Sequence, residues 1–465
     1  MITNGVGSWL YYLISAILVI LVLLGIHLLS KIKTAKLGNL ISAISLFLAV
    51  VLTVLEYEIF GIWELFLFIG IGTLLGVLIA YRVKMIKMPQ LVAILNGLGG
   101  LASLIVGIFA LFQVAGDSLL NETYFSIFSA VLAIIIGSIT FSGSTIAYLK
   151  LDGKISSKPH KPKGYLYIVI VFFILMLGLT ISAYFIKIPL LVTVLSLVLA
   201  LLFGILFTIA IGGADMPIAI SLLNSFSGLA AAISGLAINE LLLVAFGGIV
   251  GVSGLILTEI MCKAMNKTVF DVLLGKTTIK GDTITTTQNL DDLISDDSLS
   301  IEEVLNISNN IIVVPGYGMA VAQAQSLVKD LSNRFKEEGK DVKYAIHPVA
   351  GRMPGHMNVL LAEVGVDYDD LYDLEHINDQ FKNSDLVIVV GANDVINPAA
   401  KSEVDTPIYG MPVLNVEEAK HIFIFNYDLK PGYSGVENEL YKRKKGIYFF
   451  LGDAKETLKD FINKH

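Results

Sequence analysis

The sequence predicts two parts of different fold class: a multi-span α-helical membrane domain of about nine helices, followed by an α/β domain with a doubly wound parallel sheet. Of the 465 residues 55% are hydrophobic and 16% are charged, and the mean hydropathy is +0.75. A single soluble domain does not carry so much apolar surface. Most of the charge lies after about residue 262, where strand-like and helix-like patterns alternate, and this alternation predicts the second part.

Cysteine and charge usage exclude several classes of protein. The chain has one cysteine, Cys262, so it forms no intrachain disulfide and no cysteine-rich metal site, and we expect no metal. A net charge of −7, with no run of basic residues outside short loops, argues against nucleic acid as a partner. The first apolar stretch has no basic region before it and is long enough to span, which predicts a retained helix rather than a cleaved signal.

Nine apolar stretches are long enough to cross a bilayer. They lie at about 9–29, 37–55, 59–80, 90–114, 124–149, 164–186, 188–211, 216–238 and 241–261. Lysine and arginine follow the first, third and fifth stretches, whereas the intervening loops are acidic or carry little charge. The positive-inside rule therefore predicts a multi-pass protein of the cell (inner) membrane, with the N-terminus outside and the C-terminal domain in the cytoplasm.

An internal repeat relates the fourth and fifth spans to the eighth and ninth. Its first helix carries Met-Pro, Leu-Asn, Gly-Leu-Ala and a further glycine, which start at residues 88, 95, 100 and 107 in one copy and at 216, 223, 228 and 235 in the other. The spacing is identical, so a two-helix unit is duplicated in one orientation. The small residues in both copies predict close helix packing.

Three polar residues of this repeat are candidates for a proton path: Asn96, Asn224 and Asp215. Each asparagine lies seven residues after a proline, roughly 10 Å along a helix, where an amide facing lipid is costly. Hydrogen bonding between helices and a proton or ion path are both compatible with this position, and the repeat favours the path. Asp215 lies in a glycine-flanked turn at the cytoplasmic mouth of the duplicated helix, which predicts a gate between the two parts of the chain.

Beyond residue 268 the hydrophobic periodicity stops, and polar residues predominate up to residue 300. We predict a membrane domain at 1–265, a linker with room for one short helix at 266–300, and an α/β domain at 301–465. Strands are predicted at 311–314, 342–346, 386–390, 421–425 and 447–451. Helices are predicted from Gly318 to about Glu338, near 357–364, near 377–382 and at 454–462.

The first of these strands leads into a motif typical of nucleotide-binding βαβ units. Residues 310–325 read N-I-I-V-V-P-G-Y-G-M-A-V-A-Q-A-Q, so Gly316 and Gly318 open a helix whose amide end faces a phosphate in such units. Val321 replaces the third glycine of G-x-G-x-x-G, so the motif alone does not define a ligand. With the alternating strands and helices, it predicts a Rossmann-like domain.

Two further strand ends carry candidate binding residues. His347 stands where an NAD-binding unit has an acid for the adenine ribose, and the glycine loop behind it contains Arg352, which suits a phosphate oxygen. The strand at 386–390 ends in Gly391-Ala392-Asn393-Asp394, at the edge where ligands lie. Asp394 suits a ribose hydroxyl or titration with cofactor state, and it equally suits a turn cap.

Several motifs closely resemble one family, the β subunit of proton-translocating nicotinamide nucleotide transhydrogenase. They are I-G-G-A-D-M-P at 211–217, L-N-S-F-S-G at 223–228, M-C-K-A-M-N at 261–266, P-G-Y-G-M-A-V-A-Q-A-Q at 315–325, H-P-V-A-G-R-M-P-G-H-M-N-V-L-L-A-E at 347–363 and G-A-N-D-V-I-N-P-A-A at 391–400. The resemblance covers almost the whole chain. It implies a cytoplasmic NADP(H) domain on a proton-conducting membrane domain, which exchanges hydride with NAD(H) on a separate α subunit.

The resemblance also implies binding residues and partners. The implied dinucleotide contacts are Gly316, Tyr317, Gly318, Met319, Ala320, Val321, Arg352, Gly391, Asn393, Asp394, Asn426, Tyr427, Asp428, Gly432, Tyr433, Asp453 and Ala454. In that family the nucleotide lies flipped relative to ordinary dehydrogenases, which accounts for the missing ribose acid after the second strand. The implied partners are the α subunit, membrane lipid and a second copy, in a homodimer of α–β pairs.

The chain departs from the family pattern at two places. The family often has a histidine where Asn96 stands, and an amide passes protons only through bound water. After the strand at 421–425 the family reads Lys-Arg-Ser around the 2′-phosphate of NADP, whereas this chain reads Asn426-Tyr427-Asp428. Asp428 repels a phosphate and accepts from a free 2′-hydroxyl, so we expect NADP(H) with discrimination relaxed toward NAD(H). The basic run at 442–445 is either a compensating phosphate contact or a solvated loop.

Three functions remain open from the sequence. The first is a transhydrogenase subunit that is an enzyme only with its α partner. The second is a nucleotide-gated channel or transporter whose Rossmann-like domain senses NAD(P)(H) without redox chemistry. The third is a transhydrogenase-like enzyme with NAD-type cofactors on both subunits. A neighbouring reading frame that encodes a second nucleotide-binding domain would favour the first function over the second.

Overall fold

A computed structural model describes residues 8–29, 34–57, 63–83, 87–116, 123–156, 159–186, 188–264, 268–273, 299–351, 355–404, 406, 408–432 and 434–465. The chain divides into two compact units. The first comprises Met1–Ile155, Lys161–Ile209 and Ile220–Ile256, and the second comprises Ser156–His160, Ala210–Ala219 and Leu257–His465. Most of the predicted linker at 266–300 lies outside the described residues, and the boundaries at 265 and 300 stay a prediction.

Among the described residues, nine helices are long and apolar enough to cross a membrane, so the chain is a membrane protein. They are α1 (Ser8–Leu29), α2 (Ala35–Glu56), α3 (Trp63–Arg82), α4 (Met88–Gly116), α5 (Thr123–Leu151), α6 (Tyr165–Ser182), α7 (Pro189–Ala210), α8 (Met216–Ile238) and α9 (Leu241–Ala264). The predicted multi-span domain of about nine helices is confirmed.

Glycines bring the helices of the repeat into close contact. A Cβ atom at Gly100 of α4 would lie 2.8 Å from the carbonyl oxygen of Gly137 in α5, and a Cβ atom at Gly228 of α8 would lie 2.4 Å from the amide nitrogen of Gly251 in α9. Both distances are far below van der Waals contact, so neither crossing tolerates a side chain. In the second copy Gly251 makes this contact, whereas a Cβ atom at Gly248 would meet nothing within 4 Å.

Helix α3 differs from the other spans because none of its residues is buried against the described part of the chain. Cβ atoms added at Gly70, Gly72 and Gly76 would meet nothing within 4 Å. Its glycines therefore do not serve packing against the described part of this chain.

The second unit contains a six-stranded parallel sheet. Its strands are β1 (Asn310–Pro315), β2 (Asp341–Ile346), β3 (Leu371–Asp373), β4 (Leu386–Val390), β5 (His421–Asn426) and β6 (Ile447–Leu451), in the order β3-β2-β1-β4-β5-β6. Its helices are α10 (Val269–Leu273), α11 (Ile301–Ile307), α12 (Tyr317–Ala322), α13 (Gln325–Glu337), α14 (His356–Glu363), α15 (Leu374–Ile377), α16 (Ala399–Ser402) and α17 (Ala454–Lys464). This order is that of a doubly wound Rossmann-like sheet and confirms the predicted fold class.

The central strands are apolar along their whole length because both faces of the sheet are covered. All five residues of β4 are buried, and Val387 pairs in register with Ile312 of β1 and Ile422 of β5. On one face Phe461 of α17 packs edge-on against Phe425, with 5.4 Å between ring centroids. The buried strands hold the loops at their carboxyl ends in fixed positions, where the candidate site lies.

Two local predictions were wrong, and one short strand was not predicted. The single helix predicted from Gly318 to about Glu338 is broken into α12 and α13, because Gln323 adopts a left-handed conformation with φ 53°. The predicted helix at 377–382 is α15 followed by a 3₁₀ turn at Asn378–Asn383. Strand β3 was not predicted, since three residues are too few to show an alternating pattern.

Candidate functional site

Two glycine loops meet where β1 and β4 end, at the point where the strand order reverses. A Cβ atom at Gly316 would lie 2.2 Å from the Gly391 oxygen, and one at Gly318 would lie 2.7 Å from the Gly391 Cα. Gly391 has φ +68°, and a Cβ there would lie 2.2 Å from the Met319 nitrogen. Glycine is therefore required at all three positions, and the loops form a narrow crevice into which helix α12 directs its first turn.

Asn393 and Asp394 hold a neighbouring loop against this crevice. The Asn393 side chain donates to the Lys430 carbonyl at 2.8 Å, and Asp394 accepts from the backbone nitrogen and hydroxyl of Ser434 at 3.0 and 2.6 Å. A Cβ atom at Gly432 would lie 2.7 Å from the Asp394 carboxylate. Asp394 therefore positions the loop at 430–434, which is the turn-cap alternative, and a further contact to a ribose remains a proposal.

The Asn426-Tyr427-Asp428 segment begins at the last residue of β5, which pairs with β4. The Asn426 side chain is buried, and its Nδ2 donates to the Ala392 carbonyl at 2.9 Å and to the Tyr441 hydroxyl at 3.0 Å. Because a carbonyl cannot donate, this contact fixes the amide orientation and leaves the buried Oδ1 without a partner among the described residues. Tyr427 is 79% exposed.

Asp428 is engaged within its own loop. One carboxylate oxygen accepts from the Lys430 backbone nitrogen at 3.1 Å, and the other lies 3.7 Å from the Lys430 ammonium. Both groups are partly exposed, so this ion pair is weak. Lys430 is thus a cation close to the segment that departs from the family pattern, and the sequence reasoning missed it.

The basic run at 442–445 is largely occupied by protein contacts. Lys442 pairs with Glu439 at 2.5 Å and lies 3.8 Å from Glu437. The Arg443 guanidinium donates to the carbonyls of Glu417, Ala419, Lys420 and Lys445. These contacts favour the structural alternative for Lys442 and Arg443 over a contact with a 2′-phosphate.

Further predicted contacts among the described residues lie at the same edge of the sheet. Asp453 follows β6 and caps α17 by accepting from the backbone nitrogens of Lys455 and Glu456, and Ala454 is buried behind it. In α12 the side chains of Met319 and Ala320 are buried, whereas Val321 is exposed. Arg352 and Tyr433 lie outside the described residues.

His347 is buried at the end of β2 and is held as a neutral imidazole. Its Nε2 donates to the Pro412 carbonyl at 2.7 Å, and its Nδ1 accepts from the Val349 nitrogen at 3.3 Å. Burial lowers the pKa of His347 to about 4, although the Pro412 carbonyl opposes that shift. The neutral imidazole of His347 therefore occupies the position at which ordinary dehydrogenases have the acid that binds the ribose.

We expect the stability of the sheet domain to fall as the pH is lowered from about 6.5 to about 4. In this window the unfolded chain binds a proton on His347 and the folded chain does not, and a shift of this size corresponds to about 3 kcal/mol. The urea midpoint of the detergent-solubilised chain, followed by circular dichroism, measures this effect. His347→Asn should make the urea midpoint less dependent on pH in this range. His376→Asn, at an exposed site, should not have this effect. The same pH dependence in both variants would contradict the assignment to His347.

In the membrane unit the structure joins Asn96 to the helix that carries Asn224. The Asn96 side chain is buried and donates to the Ile220 carbonyl of α8 at 3.2 Å, and a Cβ atom at Gly99 would lie 2.4 Å from the Ser227 hydroxyl. Asn224 is half-buried on the same helix. The buried Asp215 ends a 3₁₀ turn directly before α8 begins. Asn96 thus forms the helix-to-helix bond that was one of its two open interpretations.

Two buried polar residues at helix ends of the membrane domain, Lys150 in α5 and Gln90 in α4, were not identified as candidates from the sequence. Lys150, at the end of α5, is buried and donates to the Ile209 carbonyl in the last turn of α7 at 2.7 Å. Gln90 of α4 donates to the Leu151 carbonyl at 3.3 Å. Each supplies a donor to a helix C-terminus. Lysines at the ends of spans are common, so the sequence carried no signal for this burial.

The crevice fits the pyrophosphate of a dinucleotide better than it fits an additional 2′-phosphate. The tight glycine loops and the start of α12 present backbone to a ligand at the β1–β4 edge, as a pyrophosphate requires. At the end of β5, in contrast, the segment offers a buried amide oxygen and a carboxylate, both acceptors. Acceptors suit a hydroxyl and repel a phosphate.

A nine-span helical bundle joined to a Rossmann-like sheet with this crevice defines a membrane protein that carries a dinucleotide-binding type of domain. Residues 9–464 match the family described as NAD(P) transhydrogenase beta subunit. The chain therefore belongs to that family, and the resemblance predicted from its motifs is confirmed.

Two relatives from Rhodospirillum rubrum, one of them from a designated strain, are both named NAD(P) transhydrogenase subunit beta. Each is 41% identical to this chain over 473 residues, and the match covers 97% of this chain and 97% of the relative. The similarity therefore extends over both the helical and the sheet parts of the chain.

Proposed function

We propose that this chain couples hydride transfer, between NAD(H) on an alpha subunit and NADP(H) on its own sheet domain, to proton movement across the membrane. The observation that carries this proposal is the crevice formed by Gly316, Gly318 and Gly391 at the switch point of the sheet. In this proposal the crevice binds the dinucleotide, and the helical membrane domain conducts the protons. The family name supports both cofactors and the alpha partner.

Each part of the crevice has its own task in the proposed reaction. The glycine loops and the first turn of α12 hold the pyrophosphate. Asn393 and Asp394 fix the loop at 430–434, which borders the bound dinucleotide. NADP(H), when bound, supplies or accepts the hydride at its nicotinamide ring. The protein therefore contributes position and exclusion of water rather than a chemical group of its own.

The proposed coupling route runs through Asp215, Asn96 and Asn224. Asn96 bonds to the backbone of α8, which carries Asn224, and Asp215 precedes the first residue of that helix. A change in the protonation of Asp215 would act on the start of α8 and, through it, on the Asn96 bond. Moving one charge across the bilayer is worth about 2.3 kcal/mol per 100 mV, enough to change a nucleotide affinity more than tenfold.

The proposed assembly contains an alpha subunit and membrane lipid, and two alpha–beta pairs form a homodimer. The sheet domain faces the cytoplasm. A second dinucleotide fold on the alpha subunit is required because hydride transfer needs two nicotinamides in near contact, roughly 3 to 3.5 Å apart. Among the described residues this chain has a single parallel sheet.

We expect membranes with this chain alone to show no hydride transfer from NADPH to an NAD analogue, and membranes with both subunits to show it together with proton movement. Reduction of the analogue is followed by absorbance, and proton movement by quenching of a pH-sensitive dye. Turnover by the lone chain would contradict the need for a partner. Nucleotide-dependent ion flux without hydride transfer in the complete complex would instead support the channel or transporter alternative.

A further inference from the structure

A cluster of three titratable side chains lies at the end of α8 remote from Asp215. Helix α8 is 23 residues long, about 34 Å, and Glu240 follows it after Asn239, which has φ 57°. The Glu240 nitrogen donates to the Gly235 carbonyl at 2.8 Å, and the Glu240 carbonyl accepts from the Val244 nitrogen at 3.1 Å. These bonds fix the turn between α8 and α9, so the backbone sets the position from which the Glu240 side chain starts.

Both carboxylate oxygens of Glu240 accept a tyrosine hydroxyl. The Tyr11 hydroxyl of α1 donates to Oε1 at 2.5 Å, and the hydroxyl of Tyr57, directly after α2, donates to Oε2 at 2.7 Å. The Leu242 nitrogen lies 3.4 Å from Oε1. Tyr57 is 53% exposed whereas Tyr11 is 6% exposed, so the carboxylate connects an exposed tyrosine with a buried one.

We propose that Glu240 is the group that exchanges protons with water at the membrane face opposite Asp215. The inference rests on the proposed function, since it names the second terminus of the same proton movement. In the exchange the ionised carboxylate takes a proton from hydronium, which leaves water, and becomes the neutral acid. The proton then passes inward and the carboxylate is restored. An acid thereby flanks each end of α8, with Asn224 between them.

The buried side of the cluster continues toward the interior of the bundle. Ser15 lies one turn beyond Tyr11 on the same face of α1, and its hydroxyl is buried without a protein partner among the described residues. Ser15 is therefore a buried polar group one helical turn from Tyr11 that can hydrogen-bond a water molecule. Glu56 is the further charged group that acts on the two tyrosines from α2.

A structural clamp is the competing interpretation of the same contacts. Tyr11 packs with Ala49, Leu52 and Leu242 in one apolar cluster of α1, α2 and α9, and a clamp at its rim would stabilise that cluster. The two roles differ in what they predict for pH dependence. A clamp affects stability, whereas an exchange group sets the pH at which protons are taken up on its own side of the membrane.

The test uses vesicles of known orientation that contain the complete alpha–beta complex, with the pH set separately on the two faces. We expect Glu240→Gln to lower proton movement about tenfold and to remove its dependence on the pH at the Glu240 face. Glu240→Asp should restore most of the movement. Glu259→Gln, which removes an exposed acid paired with Lys263 at the other end of α9, is the matched control and should behave as the wild type.

Tyr57→Phe retains the Glu240 carboxylate, so it provides a second test if the complex with Glu240→Gln does not assemble. Because it removes one hydrogen bond to the ionised carboxylate, it should move the pH profile to higher pH, whereas a clamp would lower thermal stability and leave the profile in place. Wild-type movement and an unchanged profile in Glu240→Gln or Tyr57→Phe would overturn the inference alone. A wild-type complex that moves no protons would instead overturn the proposed function.

Discussion

Converting Asn426-Tyr427-Asp428 to Lys-Arg-Ser is expected to tighten NADPH binding by about 100-fold or more and to leave NADH binding nearly unchanged. A charge-assisted hydrogen bond contributes about 1.5 to 3 kcal/mol, and two new cations therefore give at least about 3 kcal/mol. Every 1.4 kcal/mol corresponds to about a tenfold change in affinity. NADH has no 2′-phosphate, so it gains none of these bonds.

The structure adds a cost to this conversion. Asn426 is buried and bonds to Ala392 and Tyr441, so a lysine there places an ammonium in a desolvated position when no nucleotide is bound. We therefore expect the nucleotide-free variant to unfold at lower urea concentration and NADPH to restore its stability. Asp428→Ser alone should recover part of the affinity, because it removes a repulsive charge and frees the Lys430 ammonium.

Titration of the purified wild type and variants with NADPH and NADH, followed by calorimetry, measures these affinities. Lys442→Gln is the matched control, since Lys442 already pairs with Glu439, and it should leave both affinities unchanged. If the wild type already binds NADPH far more tightly than NADH, and the conversion changes nothing, the 2′-phosphate is held elsewhere and the interpretation of this segment is wrong.

Asp215→Asn is expected to lower proton movement by about 100-fold, together with the reaction that proton movement drives. The substitution keeps the size of this buried side chain and its capacity to accept a hydrogen bond, and it removes the proton-binding group. Loss of a positioned acid or base typically costs about 10²- to 10⁴-fold in rate. Asn224→Ala should also suppress proton movement, because it removes the half-buried amide of the same helix.

Asn96→His serves as the control for this route. Histidine is the residue that the family often has at this position, so proton movement should be retained or increased. Dye quenching in vesicles reports proton movement, and NADPH titration of the same vesicles shows whether the sheet domain stays intact. Unchanged proton movement in both Asp215→Asn and Asn224→Ala would reduce these residues to packing roles.

Elements with a strong local pattern could be predicted from the sequence. The strands at 386–390 and 447–451 were predicted with the bounds that the structure has, because each is a short apolar run bounded by polar or glycine residues. The nine spans follow from length and hydropathy alone. Helix α17 begins where an aspartate cap and a long amphipathic stretch predict it.

The elements that were mispredicted lack such a signal. The Gln-Ala-Gln sequence at 323–325 contains neither glycine nor proline, and the break at Gln323 follows from tertiary packing, which local propensity does not report. In the candidate site, the glycines and Asp394 could be identified from their motifs. The use of the Asn426 amide inside the protein and the pairing of Asp428 with Lys430 could not, since both depend on side-chain directions.

Helix α3 is stabilised mainly by transfer into the hydrocarbon of the membrane, whereas the helices of the repeat are also stabilised by packing against one another. Since none of its residues is buried by the described residues of this chain, its side chains gain little by contact with the other described helices. Its free energy in the folded protein is then mainly a partition free energy between water and hydrocarbon, which depends on composition and not on shape. Within this chain, apolar residues of α3 can therefore exchange positions with little effect on stability. Gly100, Gly137 and Gly228, in contrast, tolerate no other residue because their helices are in close contact.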